Sequence, residues 1–289
     1  MNIIVCVKQV IDTEHLTRIV GERTIGAPDL PRVVNPCDLV AVEEALQLKE
    51  RGIADEVILV SVGSSSAKDA LYRCLAMGAN RAILLCDAAF EGSDSYATAT
   101  LLAKAIGSLD YGLILCGQKA FDTKAGQVGY YLAEMLRIPI ISGAMKMEVP
   151  SGEKVIVQRK LRGGHREVLE ASLPLLVAVE EGLNEPRYVS QRAISRARSK
   201  EVKEYDRKAL GLSPEYVGQR GSKTEVTSLL RPRPKRIFVP DLSLPALKRL
   251  VQIETGGFKQ REGSSLTGIP QEVASRLVEI LLSNKLLRI

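Results

Sequence analysis

A mostly parallel α/β sheet flanked by helices, with an antiparallel extension and an extended C-terminal arm ending in a helix, is the fold class that three observations predict. Between residues 2 and 136, apolar runs of strand length alternate with amphipathic stretches of helix length. After Pro139 that rhythm gives way to short alternating segments separated by turn residues. Beyond Arg187 the chain becomes basic and irregular until a final amphipathic stretch. Alternating strand and helix demands a parallel sheet with right-handed crossovers, because each helix must return the chain to the same end of the sheet.

The elements follow in order. NIIVCVK (2–8) is a continuous apolar run, as in a strand buried on both faces. Residues 16–34, around Gly21, Gly26, Pro28 and Pro31, read as a hairpin or extended excursion. NPCDLVAVEEALQLKERG is a helix with Asp38 as N-cap, Leu39, Val42, Ala45 and Leu46 on one face, and Gly52 closing it. EVILVSVG (56–63) and RAILLC (81–86) are strands, each followed by a helix, at 65–78 and at Ser95 to Ile106. YGLILCG (111–117) and a helix through 125–136 complete the series. KVIVQRKL and REVLEASL alternate around a GG turn, and PLLVAVE is a buried run; together they read as a mostly antiparallel patch continuing the same sheet. From 200 to 268, Gly, Ser and Pro leave little apolar surface to bury, so an arm packed on something else is expected. PQEVASRLVEILLSNKLL ends the chain as a helix with Val273, Leu277, Ile280 and Leu281 on its apolar face.

Composition narrows the class. Hydrophobic residues make up 45%, which excludes wholesale disorder, and with 4% aromatics and no Trp the core must be aliphatic. The net charge of +6 is concentrated in residues 187–208 and in RPRPKR at 231–236. Such runs suit an acidic protein, a membrane surface or solvent alone. No zinc spacing, aromatic platform or helix-turn-helix pattern accompanies them, so nucleic acid is not expected as a partner. The five cysteines, Cys6, Cys37, Cys74, Cys86 and Cys116, are widely spaced without a CxxC pair, so neither disulfides nor a metal site is expected and a reducing cytoplasm fits. MNIIVCVKQV reads as a first strand rather than a targeting segment, and no apolar stretch reaches membrane-spanning length.

Catalytic constellations are missing from the pattern. His15 and His165 each fall in a turn or hairpin, and no nucleophile elbow, phosphate-binding loop or GxGxxG follows a strand. Binding rather than turnover is expected. Ligands of open α/β sheets bind beyond the C-terminal ends of strands. Three such ends stand out: Cys6-Val7-Lys8, Val62-Gly63-Ser64-Ser65-Ser66, and Gly117 with the following QKAFDTKAGQVG. Gly117, Gly126 and Gly129 let backbone approach a ligand, and amides at the next helix start favour phosphate. Asp122 is placed to accept from a sugar or base, with Thr123 and Gln127 as further polar contacts. An ordinary strand-to-helix turn fits the same residues.

VKQVID, NPCDLVAVEEALQLKE, AMGANRAILL, CGQKAFDTKAGQVG and LNEPRY stand in the order found in electron transfer flavoprotein β subunits. Val157, Arg159, Gly163, Gly164, Glu167, Leu169, Pro174 and Ala178 match the family's signature spacing, with Arg162 where an acid is usual. The resemblance covers roughly residues 1–190 and continues more loosely through LGLSPEYVGQRGSKTEV, which is similar to the nitrogen-fixation and electron-bifurcating branch; 231–268 is longer than in short members. It implies a Rossmann-like nucleotide-binding domain over 1–190 and a partner-docking basic loop and arm over 191–289. It further implies a heterodimer with an α subunit that carries most of the redox FAD, and either AMP or a second FAD in this subunit. The matching nucleotide positions are Cys6, Asn35, Pro36, Cys37, Asp38, Val62, Gly117, Gln118, Lys119, Ala120, Phe121, Asp122, Thr123, Lys124, Ala125, Gly126, Gln127 and Val128. Bifurcating members carry acid-Gly-acid-Thr before Gln-Val-Gly, where this chain has Lys124 for an acid and Ala125 for the hydroxyl; VKQVIDT and the tail point towards FAD, which is the expected occupant. The loop after LNEPRY anchors an acyl-CoA dehydrogenase through a leucine in many members. The matching position here is Gln191, followed by Arg192, Ile194, Arg196 and Arg198, so a redox partner with an acidic face is expected. The alternative is a stand-alone adenine-nucleotide-binding module of the universal-stress or adenine-hydrolase kind, without a redox role.

Overall fold

The structure, a computed structural model, describes residues 1–12, 19–20, 24–25, 31–151, 153–228, 240–254 and 266–283. The chain divides into two compact units, Met1–Leu230 and Arg231–Ile289.

In the first unit, β1 (Asn2–Cys6) is followed by β2 (Gln9–Ile11), β3 (Ile19–Val20), β4 (Thr24–Ile25) and β5 (Arg32–Val34). Helix α1 (Pro36–Glu50), β6 (Glu56–Val62), α2 (Lys68–Met77), β7 (Arg81–Leu85), α3 (Ser95–Ile106), β8 (Leu113–Gly117) and α4 (Val128–Leu136) continue the alternation. Four strands come next: β9 (Ile140–Ser151), β10 (Lys154–Lys160), β11 (Arg166–Ser172) and β12 (Leu175–Val179). The unit closes with α5 (Gln191–Ala197), β13 (Val202–Tyr205) and α6 (Gly218–Gly221).

Nine strands form one sheet in the order β11-β10-β9-β12-β8-β1-β6-β7-β13. The pairings from β9 to β13 are parallel, and only β9–β10 and β10–β11 are antiparallel. Strand β1 lies centrally because it has no polar face. Ile3 and Val5 enter the core beneath α1 and α2, while Ile4 and Cys6 enter the opposite core beneath α3 and α4. From β1 the chain moves one way to β6 and β7, then crosses back to β8 on the other side of β1. The C-terminal ends of β1 and β8 therefore flank a topological switch point, where two crossovers diverge, the place at which open α/β sheets bind ligands.

The expected fold class is met: a large, mostly parallel sheet, helices on both faces, an antiparallel extension and a C-terminal helix. Three details differ. PLLVAVE does not join the antiparallel patch; β12 inserts between β9 and β8 and runs parallel to both. Asp38 is not the N-cap of α1, since Asn35 holds that place and Asp38 sits in the first turn. The segment after Arg187 is not irregular, because α5 packs on α2 and β13 pairs in parallel with β7. The compact unit thus runs past residue 190, with Leu210 and Val217 buried in its core. Of the 16–34 excursion, Ile19–Val20 and Thr24–Ile25 pair antiparallel; Gly21, Gly26, Pro28 and His15 lie outside the described residues, as does RPRPKR.

Within Arg231–Ile289, α7 (Ala246–Glu254) and α8 (Pro270–Ser283) are the described helices. Leu247, Leu250, Val251 and Ile253 on α7 are exposed, as are Leu277, Val278, Ile280 and Leu282 on α8. No helix among the described residues is long and apolar enough to cross a membrane.

Asp94 fastens the later chain to the sheet. One oxygen accepts from Ala97 N–H (2.9 Å) as the cap of α3, and the other accepts from Lys223 N–H, Thr224 N–H and the Thr224 hydroxyl. Burial opposes the charge, but these donors outweigh it and hold the carboxyl below its ordinary range. Asp94→Ala is expected to lower the unfolding free energy by about 1–3 kcal/mol in urea titration, with faster proteolysis after Lys223 in the folded protein.

Candidate functional site

Three elements meet at the switch point, and one carboxylate joins them. Asp38, 5% exposed, accepts from Lys8 N–H at the end of β1 (2.7 Å) and from Gly117 N–H at the end of β8 (3.0 Å). It also accepts from Asn35 Nδ2 at the start of α1 (2.9 Å). Burial pushes its pKa up to about 6, although the bonds from Asn35, Lys8 and Gly117 work the other way. Asn35, 1% exposed, extends the join: its Nδ2 also donates to Lys119 C=O (3.1 Å), and its Oδ1 accepts from Phe121 N–H (3.1 Å). Gly117 is required here by space, since a Cβ would fall 2.3 Å from Asp38 Oδ1 and 2.7 Å from Cys37 Cβ.

The loop after β8 starts from this anchor. Gln118 N–H donates to Val179 C=O (2.8 Å), and its Oε1 accepts from Gly143 N–H (2.8 Å). Residues 119–125 are mostly exposed, with Ala120 and Phe121 half-buried. Asp122 pairs with the Lys8 ammonium at 2.7 and 2.8 Å. Lys124 adopts the left-handed region at φ 53°, its N–H donating to Ala120 C=O (2.8 Å) and its ammonium 6.0 Å from the Phe121 ring centre. Gly126, at φ 62°, completes the turn into α4. Gln127 is the N-cap residue of α4 but makes no side-chain capping bond, unlike Asp94 at α3 and Ser190 at α5. Among the described residues the first turn of α4 has no side-chain cap, and the loop leading into it carries Lys119 and Lys124 and reaches Lys8 through Asp122. That is a chemistry for anions: directed N–H groups with the positive end of the helix dipole, amid cations.

The structure therefore brings Cys6, Asn35–Asp38 and Gly117–Asp122 together, through the bonds above and the adjacency of Cys6 and Cys116 in the β1–β8 register. Within that cluster Asn35, Cys37 and Asp38 are buried, whereas Lys119 and Asp122 are exposed, as are Thr123, Lys124 and Ala125 beyond it. Pro36 opens α1. Val62, half-buried, ends β6 two strands from β8, next to the Ser64–Ser66 turn, where Ser66 Oγ donates to Gln9 Oε1 (2.9 Å). Cys6 and Cys37 are pushed up to about 12 and Cys116 upward, in each case chiefly by burial, so these thiols stay neutral, and that of Cys37 donates to Glu181 Oε1 (3.7 Å). No group of three or more metal-ligating side chains occurs among the described residues. His165 is exposed at the β10–β11 turn.

The expected docking residues form a separate surface. Gln191, Arg192 and Arg196 are exposed on α5, as is Arg198 just after its end, Ile194 is half-buried, and Arg198 donates to Asp69 (3.3 Å). Gln191 and Ile194 line a groove of about 430 Å³ with Leu39, Arg73 and Met77. Tyr188 at its edge is 91% exposed.

Two roles are invisible in the sequence. Lys8 ends an apolar run and gives no sign of its partner 114 residues away. Arg187 is one of many cations in its stretch, yet it grips Glu43 with Nε (2.8 Å) and Nη2 (3.0 Å) and Glu50 with Nη1 (2.6 Å). Asn184 Nδ2 donates to Val40 C=O (3.1 Å) and Glu44 (3.0 Å), so LNEPRY is riveted along α1.

The sequence is similar to known proteins over most of its length. The electron transfer flavoprotein domain matches residues 26–210. The chain is 39% identical over 256 residues to the electron transfer flavoprotein subunit beta of Thermoanaerobacterium thermosaccharolyticum, covering 87% of this chain and 97% of the relative. It is 36% identical to the caffeyl-CoA reductase-Etf complex subunit CarD of Acetobacterium woodii, over 81% of this chain and 89% of that one. Identity to protein FixA of Azotobacter vinelandii is 36%, over 81% and 85% of the two chains.

Because the folded pKa of Asp38 lies above its unfolded value of 3.8, its contribution is most favourable below that pH and is lost as pH rises towards about 6. The stability difference between wild type and Asp38→Asn, measured by denaturation across pH, is expected to shrink over that window. Gly117→Ala is expected to destabilise by about 1–3 kcal/mol through overpacking.

Proposed function

The chain belongs to the electron transfer flavoprotein family as a β subunit, and from that we propose that it pairs with an α subunit to carry electrons between a dehydrogenase and an acceptor. In this reading most of the redox FAD is held by the α subunit, and the crevice at the ends of β1, β6 and β8 holds a second nucleotide. The observation that carries the nucleotide reading is the start of α4: amides without a side-chain cap, reached through a loop that carries Lys119, left-handed Lys124 and Gly126 and is tied to Lys8 through Asp122. These residues fit a phosphorylated group, since backbone N–H groups and mobile ammoniums together recognise phosphate without a fixed fork geometry. We favour FAD over AMP as occupant, because three lysines suit a pyrophosphate and because the tail held by Asp94 resembles that of the FAD-binding branch. Bound flavin supplies reversible electron acceptance; this chain's residues hold and orient it.

Docking is assigned to α5. With Gln191 in place of an apolar anchor, recognition rests on Arg192, Arg196 and Arg198 beside the groove, which suits a partner with an acidic face. The name of the caffeyl-CoA reductase relative supports an acyl-CoA reductase or dehydrogenase as that partner. The stand-alone nucleotide module is not favoured, given the extent of the family match.

Purification with the neighbouring α subunit and a nucleotide count test the whole reading. Two FAD per heterodimer are expected, the stoichiometry that electron bifurcation needs. One FAD with one AMP would identify a simple carrier, and absence of flavin would overturn the carrier assignment. For docking, Arg196→Glu with Arg198→Glu is expected to weaken partner binding and flatten its salt dependence in titrations. Unchanged affinity and salt response would remove α5 from the interface.

A further inference from the structure

The loop that borders the strand-end crevice is anchored unevenly. Its first half is fixed to the sheet: Gly117 N–H to Asp38, Gln118 to Val179 and Gly143, and Lys119 C=O and Phe121 N–H to Asn35. Its second half, 122–127, has one polar tie to the sheet among the described residues, the Asp122 carboxylate on the Lys8 ammonium. The remaining backbone bonds there run within the loop, from Lys124 N–H to Ala120 C=O and from Thr123 N–H to Asp122 Oδ1, or into α4.

The two ends of that tie differ in freedom. Lys8 has its backbone pinned on both sides, with N–H to Asp38 Oδ2 (2.7 Å) and C=O accepting from Asn35 N–H (2.9 Å), so its ammonium swings from a fixed base. Asp122 rides on the loosely held half of the loop. Both side chains reach solvent, at 42% and 27% exposure, and a pair so exposed is weak. An ammonium is a compact charge that donates to carboxylate or phosphate oxygens without a demanded geometry. A phosphate carries at least the charge of the carboxylate and is drawn by the same α4 amides.

We propose that Lys8 and Asp122 form an exchangeable clasp, in which the phosphate of a bound nucleotide replaces the Asp122 carboxylate on the Lys8 ammonium. Without nucleotide the clasp holds residues 122–127 against the end of β1. With nucleotide Lys8 becomes a phosphate ligand and Asp122 is released, so Asp122 competes with the ligand. The inference rests on the nucleotide reading above and assigns Lys8 a binding role in it.

The test uses the full-length chain stripped of nucleotide, with Asp122→Asn, Lys8→Met and the double variant. Hydrogen exchange of amides 122–127 without ligand is expected to be faster in both single variants than in wild type. In calorimetric titration with AMP and with FAD, Asp122→Asn is expected to bind about two- to fivefold more tightly, the range for one partly solvated charge contact. Lys8→Met is expected to bind more weakly, and adding Asp122→Asn to it should change nothing. A wild type that binds while Asp122→Asn binds equally or more weakly overturns the clasp, as does exchange unaltered by either single variant. Failure of wild type to bind either nucleotide overturns the site reading itself, an outcome distinct from the other two.

Discussion

The buried carboxylate of Asp38 is the constraint on which the strand-end architecture depends. Parallel strands finish with N–H groups that have no next residue to pair with, and at a switch point the two adjoining strands send their chains apart. Asp38 supplies an acceptor to both, and Asn35 carries the same bonding into the loop after β8. A lone ionised carboxylate in such a place would be prohibitively desolvated; three donors from three elements make it tolerable. Neither residue is then available as a simple ligand. Their effect on a bound molecule is exerted through the backbone they position: Lys8, Gly117 and the stretch to Phe121.

A second set of ion pairs fixes the segment that leads into α5. Glu43 and Glu44 are buried on α1, an unusual place for two neighbouring acids. Burial works against Glu43, but the guanidinium of Arg187 and the Gln47 amide more than compensate and keep its carboxyl below the ordinary range. Glu44 lies above that range, burial prevailing over the Asn184 amide and Arg51. A bidentate guanidinium fixes orientation as well as position. The segment that leads into α5 therefore leaves α1 in a defined direction.

Much of the first 136 residues was legible because local pattern and tertiary role coincide there. EVILVSV has one conformation that buries its branched side chains on two faces, and the glycines after the strands mark turns. Legibility ended where a residue's role depends on a distant partner. Asp38 has the chemistry of a helix cap, and only the approach of β1 and β8 turns it inward. LLVAV reads equally well at the edge or the middle of a sheet, and its parallel neighbours are set by the crossover before it. VKEY has too little apolar character to announce a strand, yet β7 offered it a free edge. At the site, the strand end and its glycines suggested the loop after β8, whereas its division into an anchored and a loose half required Asn35 and Lys8 in space.

The path of residues 180–201 carries a mechanical meaning. They leave β12, cross α1 and α2, and re-enter the sheet as β13, while β8, β1, β6 and β7 lie between the two strands. Helix α5 is thus a strap fastened at both ends rather than a loose tether. Tension applied to it would load β12 and β13 in shear along their hydrogen-bond ladders, the direction in which a sheet yields least readily. Anything seated on α5 would therefore grip the sheet from both β12 and β13, and a pull on it would be shared across the strands between them.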